Sequence, residues 1–494
     1  MKRSSYLELA AFGVGGLYIL AFVLAAITRL VYPYELEWNE GAVLDHAIRL
    51  LEGKPLYTAP SLDFAPFVYT PLYYCAVALV MKIGGIGLWA GRLVSILATL
   101  GTALVIGAIT RKETQSMFLA LSSAMLYLAF YHATGFFFDI VRMDALAVLL
   151  GVAGIYSALY LKRGFLISAV LITLAYFTKQ QMIVFWPAIA GWLLLHNRKE
   201  GLWFIFVSLI LIVGTSIALN VGTHGWYSFY TMTIPSVKAH LLFSSSDAFN
   251  FLPFGMFGVF ALTTVVIAIG TAINMKAAWM KKDNALLLYF CYLCAIVGGC
   301  MSLGNSGGYK NVLMPLAAII ATLFPICAYQ LSSRLRQHIA QIDFVPWLIL
   351  FAYASLAYNP FGQLALFGSA KQRAGGDAFI AKLRDMPGDV WIPFHGYINR
   401  MAGTPTHIHF MAMNDVLLVG DSTSKRLQRE IDSAYVSHRF ARIILDENRV
   451  YPFNSIAHYT CATTILGTPN VFLSRIGDAP TRPQFVYLPT KSEP

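Results

Sequence analysis

Apolar segments recur through roughly the first 360 residues, each nearly free of charge and each followed by a short loop. This repeat constrains the fold more than any other feature. A helix crosses a bilayer with about twenty apolar residues, because only internal hydrogen bonds can satisfy its backbone there. The segments carry Gly, Pro and aromatics inside and lack the ten-residue alternation of a membrane barrel. Composition agrees: 57% of residues are apolar and only 12% charged, with a mean hydropathy of +0.62. The fold class expected is an all-α polytopic membrane protein with about eleven transmembrane helices.

Lys2 and Arg3 place the N-terminus in the cytoplasm, and Leu7 to Val31 reads as a retained signal-anchor span, since no small-residue cleavage site follows it. The next apolar run, Pro71 to Gly85, is short and carries Lys82 near its end. Read as interfacial, it makes Leu88 to Ile109 the second span. The basic clusters Arg111-Lys112, Lys162-Arg163, Arg198-Lys199, Lys276 with Lys281-Lys282, and Arg334 with Arg336 then all fall inside. The remaining spans are expected near 116–132, 143–161, 165–178, 182–196, 201–220, 251–275, 285–303, 311–331 and 343–358. The protein is thus read as integral to the inner (plasma) membrane, with its C-terminus outside.

The net charge of +11 serves topology and attraction to anionic membrane lipids. It does not point to nucleic acid, because no basic patch with interleaved aromatics occurs. Cys291 and Cys294 form a Cys-x-x-Cys inside a span with no His or second pair near, so they read as apolar packing.

Two domains are expected. Residues 1–359 form the membrane domain, with a first outer loop at 32–87, and 360–494 form a small extracytoplasmic α/β domain. In the tail, Asp377–Arg384 and Lys425–Arg439 look helical, while Val390–Pro393 and Ala441–Leu445 look like buried strands. The outer face also holds His132 to Arg142, a tight turn at Lys179-Gln180-Gln181, a Gly-rich turn from Gly304 to Lys310, and a loop from Val221 to Asn250. That last loop, with His224, Lys238 and His240, reads as the acceptor entrance.

The first outer loop gathers carboxylates in a chain that otherwise rations charge, and ionisable groups at a membrane interface mark a working site. Gly41 to Leu51 reads as a short amphipathic helix with Asn39 as N-cap and Glu40 in its first turn. Glu37 and Glu40, three residues apart, are both candidates for a general base toward a hydroxyl or amine. Arg142 and Asp144 lie at the outer end of a span, where Asp144 needs a partner such as Arg142 or a first-loop group. Lys179 and Lys310 abut spans on the outer side, against the usual inside placement of Lys, and suit a phosphate whose tail stays in the bilayer.

These residues resemble the GT-C class of membrane glycosyltransferases, in particular the branch containing the lipid A aminoarabinose transferase and the protein O-mannosyltransferases. The resemblance covers roughly the first 330 residues. It is carried by an acidic first loop with an interfacial helix, then Thr70-Pro71-Leu72-Tyr73-Tyr74, then Gly85 followed by Arg92-Leu93, then the Asp144 and Lys179 positions. The family's Asp-Glu dipeptide is Asn39-Glu40 here, and its Lys-Pro-Pro is Tyr69-Thr70-Pro71. The resemblance implies a sugar donor on polyprenyl phosphate, and a lipid, glycan or protein acceptor on the outer face. It implies inverting transfer with Glu40 or Glu37 as base, Lys179, Lys310 and Tyr69 on the phosphate, and Arg142, Asp144 and Asn39 completing the substrate site. Phosphate is a good leaving group, so no cofactor is required, and a divalent metal is neither implied nor excluded. His395, His407 and His409 cluster in sequence but lack the carboxylate spacing of a zinc site. The competing readings are a transporter or flippase of a lipid-linked glycan, and an inactive assembly protein. The one-sided charges and absence of paired repeats stand against the transporter.

Overall fold

The computed structural model describes residues 2–244, 247–281, 283–304, 308–335, 344–356, 369–446, 458–466, 471–472, 476 and 482–490, leaving aside the side chains of 2–5, 240–244 and 247–259. Lys282, Arg336, the His240 side chain, residues 305–307 of the expected Gly-rich turn and the expected domain junction at 357–368 lie outside the described residues.

The bundle helices follow the expected spans. They are α1 (Lys2–Leu30), α4 (Leu88–Thr114), α5 (Met117–Ala129), α6 (Asp144–Tyr160), α7 (Gly164–Thr178), α8 (Phe185–His196), α9 (Arg198–Gly222), α12 (Asp247–Lys281), α13 (Asn284–Leu303), α14 (Met314–Leu335) and α15 (Val345–Ser355). Among the described residues six helical stretches are long and apolar enough to cross a membrane unaided, in α1, α4, α9, α12, α13 and α14. The last is the hub: 94% of its most apolar stretch is buried inside the protein, against 17% for α9, whose sides face outward. Caps start helices where the chain turns: Ser116 accepts from Leu119 N–H at 3.3 Å, and Asn197 from Lys199 N–H at 3.2 Å.

The shorter helices are short for one reason. Near one end of the bundle α5 stops at Ala129, and the chain runs non-helically to Asp144 with Phe138, Ile140 and Val141 buried. There α7 stops at Thr178, and a 3-10 turn, Gln180–Val184, precedes α8. Another 3-10 turn, Lys310–Leu313, precedes α14. Irregular backbone at such depth is tolerated where it is buried in protein or lines a cavity.

Helices alternate in direction. The end of α1 and the starts of α4, α6 and α14 therefore meet the end of α7, and the basic clusters collect at the opposite end. At that opposite end Glu113 accepts from Tyr160 at 2.5 Å and from Asn284 at 3.1 Å. Helix α3 (Leu72–Gly84) lies across the first end. Just before it Thr70 donates to the Tyr176 carbonyl at 2.9 Å, Tyr73 donates to the Gly91 carbonyl at 3.0 Å, and its last residue, Gly84, lies against the Trp89 ring. Both ends of α3 thus meet the same face, so it does not cross.

Across its described residues the 221–250 segment is mostly helical rather than a loop. After Gly222 come α10 (Trp226–Ser228), a π-turn at Phe229–Thr233 and α11 (Ile234–Ser244), whose Lys238 pairs with Asp415. The tail contains α16 (Ala370–Arg384), β1 (Val390–Trp391), α17 (Gly396–Ala402), α18 (Phe410–Leu417), α19 (Ser422–Val436), β2 (Arg442–Leu445), β3 (Tyr459–Thr464) and β4 (Phe485–Pro489). The sheet order is β1-β2-β4-β3, with β1 parallel to β2 and the other pairs antiparallel. Its apolar face does not close on itself. Trp391, Tyr397, Ile408 and Met413 share one core with Val43, Leu44 and Ile48 of α2 (Glu40–Leu51) and with Tyr74 of α3. Tail and first loop are therefore packed as one body.

Candidate active site

Two carboxylate–guanidinium pairs are built on the turn that precedes α2. The first is Glu40 with Arg92, both fully buried. Arg92 grips Glu40 with two prongs, Nε to Oε1 at 3.0 Å and Nη2 to Oε2 at 2.7 Å. Its remaining donors go to the carbonyls of Arg29 (2.7 Å), Tyr32 (2.5 Å) and Tyr34 (2.8 Å). Glu40 also accepts the Leu36 N–H at 2.7 Å and the Val141 N–H at 2.9 Å. Burial raises its pKa, but Arg92 and these donors outweigh that and hold the carboxyl below its ordinary value. Gly91 makes the Val141 contact possible, because a Cβ there would lie 2.4 Å from Val141 Cγ1. Beneath lies Arg29, bonded to Asp139 at 2.9 Å, with Tyr131 donating to the same carboxylate at 2.6 Å.

The second pair is Glu37 with Arg142, and it is unsaturated. Among the described residues Glu37 accepts from Asn39 alone, at 2.9 Å from the side chain and 3.1 Å from the backbone. Arg142 Nη1 stands 3.6 Å from Glu37, an ion pair without a hydrogen bond. Arg142 Nη2 donates to the Tyr69 hydroxyl at 3.3 Å, while Nε and Nη1 are buried with no hydrogen-bond partner among the described residues. Burial pushes the Glu37 pKa up, with Arg142 opposing.

At the adjoining ends of α6 and α7, Lys179 Nζ bonds Asp144 Oδ1 at 2.5 Å, and Asn311 donates to the same oxygen at 2.9 Å. The other carboxylate oxygen, Asp144 Oδ2, is buried without a partner among the described residues, as is Asn39 Oδ1. Nearly all buried polar atoms in proteins are paired, and among the described residues these unpaired ones belong to groups that bond or face Arg142 and Lys179.

Several expectations change in detail. Asn39 stands at the N-cap of α2, but its side chain makes no capping bond and turns back to Glu37. Glu40 bonds Arg92 and the neighbouring loops rather than the N–H groups of its own first turn. The partners of Asp144 are Lys179 and Asn311, not Arg142. Lys310 is exposed, and its neighbour Asn311 is the residue that enters the site. His395 and His407 pair with separate carboxylates and His409 bonds backbone, so the three tail histidines do not converge. Sequence reasoning gave no role to Arg29, Arg92, Asp139 or Asn311. The available signal was the cost of charge within or beside an apolar span, since a charge there needs a partner.

The family model for dolichyl-phosphate-mannose-protein mannosyltransferases matches residues 68–220. No curated protein sequence matches the chain. The structure is similar to ArnT from Cupriavidus metallidurans in the apo state (TM-score 0.59, 12% identity, covering 97% of this chain and 98% of that one). It is similar to the same protein bound to undecaprenyl phosphate (0.55, 12%, 96% and 98%). It is also similar to the Archaeoglobus fulgidus oligosaccharyltransferase tethered to an acceptor peptide (0.51, 9%, 88% and 69%). The chain is a polytopic membrane protein with the fold of the GT-C glycosyltransferases.

Proposed function

We propose that this protein transfers a sugar, hexose or pentose, from a polyprenyl-phosphate donor to a lipid, polysaccharide or protein acceptor on the outer face of the membrane, with inversion. The observation that carries the reading is the second pair: a buried carboxylate and a buried guanidinium, each with unused bonding capacity, at one end of a lipid-embedded bundle. Similarity to a protein bound to undecaprenyl phosphate supports a lipid-phosphate donor, and similarity to one tethered to an acceptor peptide keeps a protein acceptor in view.

In this reading Glu37 takes the proton of the acceptor hydroxyl or amine as that atom attacks the anomeric carbon. The bond from that carbon to the phosphate oxygen breaks, its electron pair leaves with the polyprenyl phosphate, and single displacement inverts the centre. Arg142 and Lys179 face the charge that develops on the departing phosphate, and Tyr69 orients Arg142. Burial raises the Glu37 carboxyl above its ordinary value, with Arg142 opposing, and a strengthened carboxylate base suits the role. Glu40, with every acceptor position filled, holds the turn in place. Asp144 and Asn311 hold Lys179.

Mass spectrometry of lipids that copurify with the protein in mild detergent tests the donor class. A stoichiometric polyprenyl phosphate, free or glycosylated, is expected. Its absence, together with no transfer from added polyprenyl-phosphate sugars, would overturn the reading.

A further inference from the structure

The turn that carries Glu37 is held almost residue by residue by the tail. Tyr34 donates to Asp377, and its ring packs against Phe472 at 4.9 Å between centroids. The Leu36 carbonyl accepts the Ile476 N–H at 3.1 Å. Trp38 lies against Phe394 at 5.8 Å and His409 at 5.3 Å. Glu37 alone in this stretch turns away from the tail, toward Arg142.

The charged member of the grip is Glu35. Its Oε2 lies 2.5 Å from His395 Nδ1, and His395 Nε2 lies 2.9 Å from Asp446 Oδ2. All three groups are buried. A neutral imidazole has one N–H, so a ring held between two ionised carboxylates through both nitrogens carries a proton on each and is a cation; burial raises Glu35 to about 7 even against His395, so this state is complete above that pH. The carboxylates lie on opposite edges of the ring, so the three side chains share no common point and do not form a cation site. Gly41 leaves room for the clamp: a Cβ there would lie 1.8 Å from Glu35 Oε1. Other charges face it from every side. Glu40 and Asp45 act on Glu35, Arg482 lies near Asp446, and His409 lies near His395.

We propose that His395 is a positioning residue. As an imidazolium strut between Glu35 and Asp446 it transmits the placement of the C-terminal domain to the Tyr34–Trp38 turn, and so sets where Glu37 stands relative to Arg142. The inference rests on the glycosyltransfer reading for its kinetic consequence, but its structural part stands apart from it. The tail is then part of the catalytic apparatus although it contributes no group to the chemistry.

The test uses the full-length protein in lipid nanodiscs, with amide hydrogen exchange over residues 33–40 and transfer from a polyprenyl-phosphate sugar as readouts. His395→Gln is expected to raise exchange in that peptide about tenfold. It should lower kcat by about tenfold to a hundredfold with the donor KM within about twofold, as displacement of a positioned group does. Arg400→Gln breaks a different tie between the same domains, the ion pairs to Asp45 at 3.0 Å and Glu52 at 2.8 Å. It should leave exchange at 33–40 unchanged. Should His395→Gln fail to fold, Asp446→Asn keeps the ring and weakens one prong, and the same pair of changes is expected at smaller size. Unchanged exchange, an equal rise in Arg400→Gln, or raised exchange with unaltered kcat would each overturn the strut. A wild-type protein that transfers nothing from polyprenyl-phosphate sugars would defeat the glycosyltransfer reading, while the exchange results would still decide the clamp.

Discussion

Glu40–Arg92 and Glu37–Arg142 are the same chemistry in neighbouring places, two buried carboxylates three residues apart, each facing an arginine. In the first, both prongs of the guanidinium meet both carboxylate oxygens, and two backbone N–H groups fill what remains. In the second, the closest approach is 3.6 Å, and two arginine nitrogens have no hydrogen-bond partner among the described residues. Ion pairs are weak evidence of anything until their bonding is counted. A saturated pair is a fastener, and an unsaturated one has capacity left for a substrate.

The sharpest way to break this contrast is to neutralise each carboxylate in turn. Glu37→Gln should lower kcat by about 10² to 10⁴-fold, the range a general base supplies, with a smaller fall in melting temperature than Glu40→Gln because the pair it breaks is looser, at 3.6 Å with no hydrogen bond. Glu40→Gln should do the reverse. Leaving Arg92 buried without its counter-charge costs about 3–5 kcal/mol, read as a large drop in thermal stability in detergent, with whatever protein stays folded retaining measurable turnover. Next in size, Arg142→Lys keeps the charge but loses the planar fork, and should reduce kcat/KM for the donor by roughly tenfold to a hundredfold.

The pH dependence sharpens the same contrast from outside the bundle. Glu37 must be ionised to act and its pKa is raised by burial, so kcat/KM should rise with pH through a midpoint above the ordinary carboxylate value. A pH–rate profile checks this. His395 behaves oppositely in stability. Burial would lower its pKa, but Asp446 and Glu35 push it up to about 10 from the ordinary 6.5. A group raised in the folded state stabilises fully below its unfolded value and loses that contribution as pH climbs through its folded one. With Glu35 itself raised by burial to about 7, the ionised clamp should be most complete near that pH and fade toward about 10. The difference in melting temperature between wild type and His395→Gln, measured across that window, should shrink as pH rises. The smallest effect belongs to Lys310→Ala. That side chain is exposed, and the substitution should change kcat/KM by less than about threefold, a rim contribution.

Much of the fold was legible because a bilayer leaves few options. Apolar length gave the order of the helices, and the shortness of Pro71–Gly85 with Lys82 marked α3 as lying across the bundle end. The tail elements were readable from local periodicity, with Lys425–Arg439 becoming Ser422–Val436 and Ala441–Leu445 becoming Arg442–Leu445. Residues 221–250 were harder. Their polar and aromatic mixture looked like loop, but α11 is helical and is fixed by Lys238 on Asp415, a tertiary contact that no local pattern announces.

At the site, sequence could gather the ionisable groups but not pair them. From sequence Asp144 needs a partner such as Arg142, two residues away, or a group of the first loop, yet Lys179, 35 residues on, completes the pair. Glu37 and Glu40 looked interchangeable because the residues that distinguish them, Arg92 and Val141 for one and Arg142 for the other, come from distant segments. The union of the tail with the first loop was invisible for the same reason.

The most direct test of the account is single-turnover sugar transfer from polyprenyl-phosphate donors by folded Glu37→Gln, compared with wild type at saturating acceptor. A rate lower by at least about a hundredfold, with donor binding preserved, is the result expected of a lost base. Transfer at the wild-type rate would show that Glu37 is no base and would contradict the distinction drawn between the two pairs.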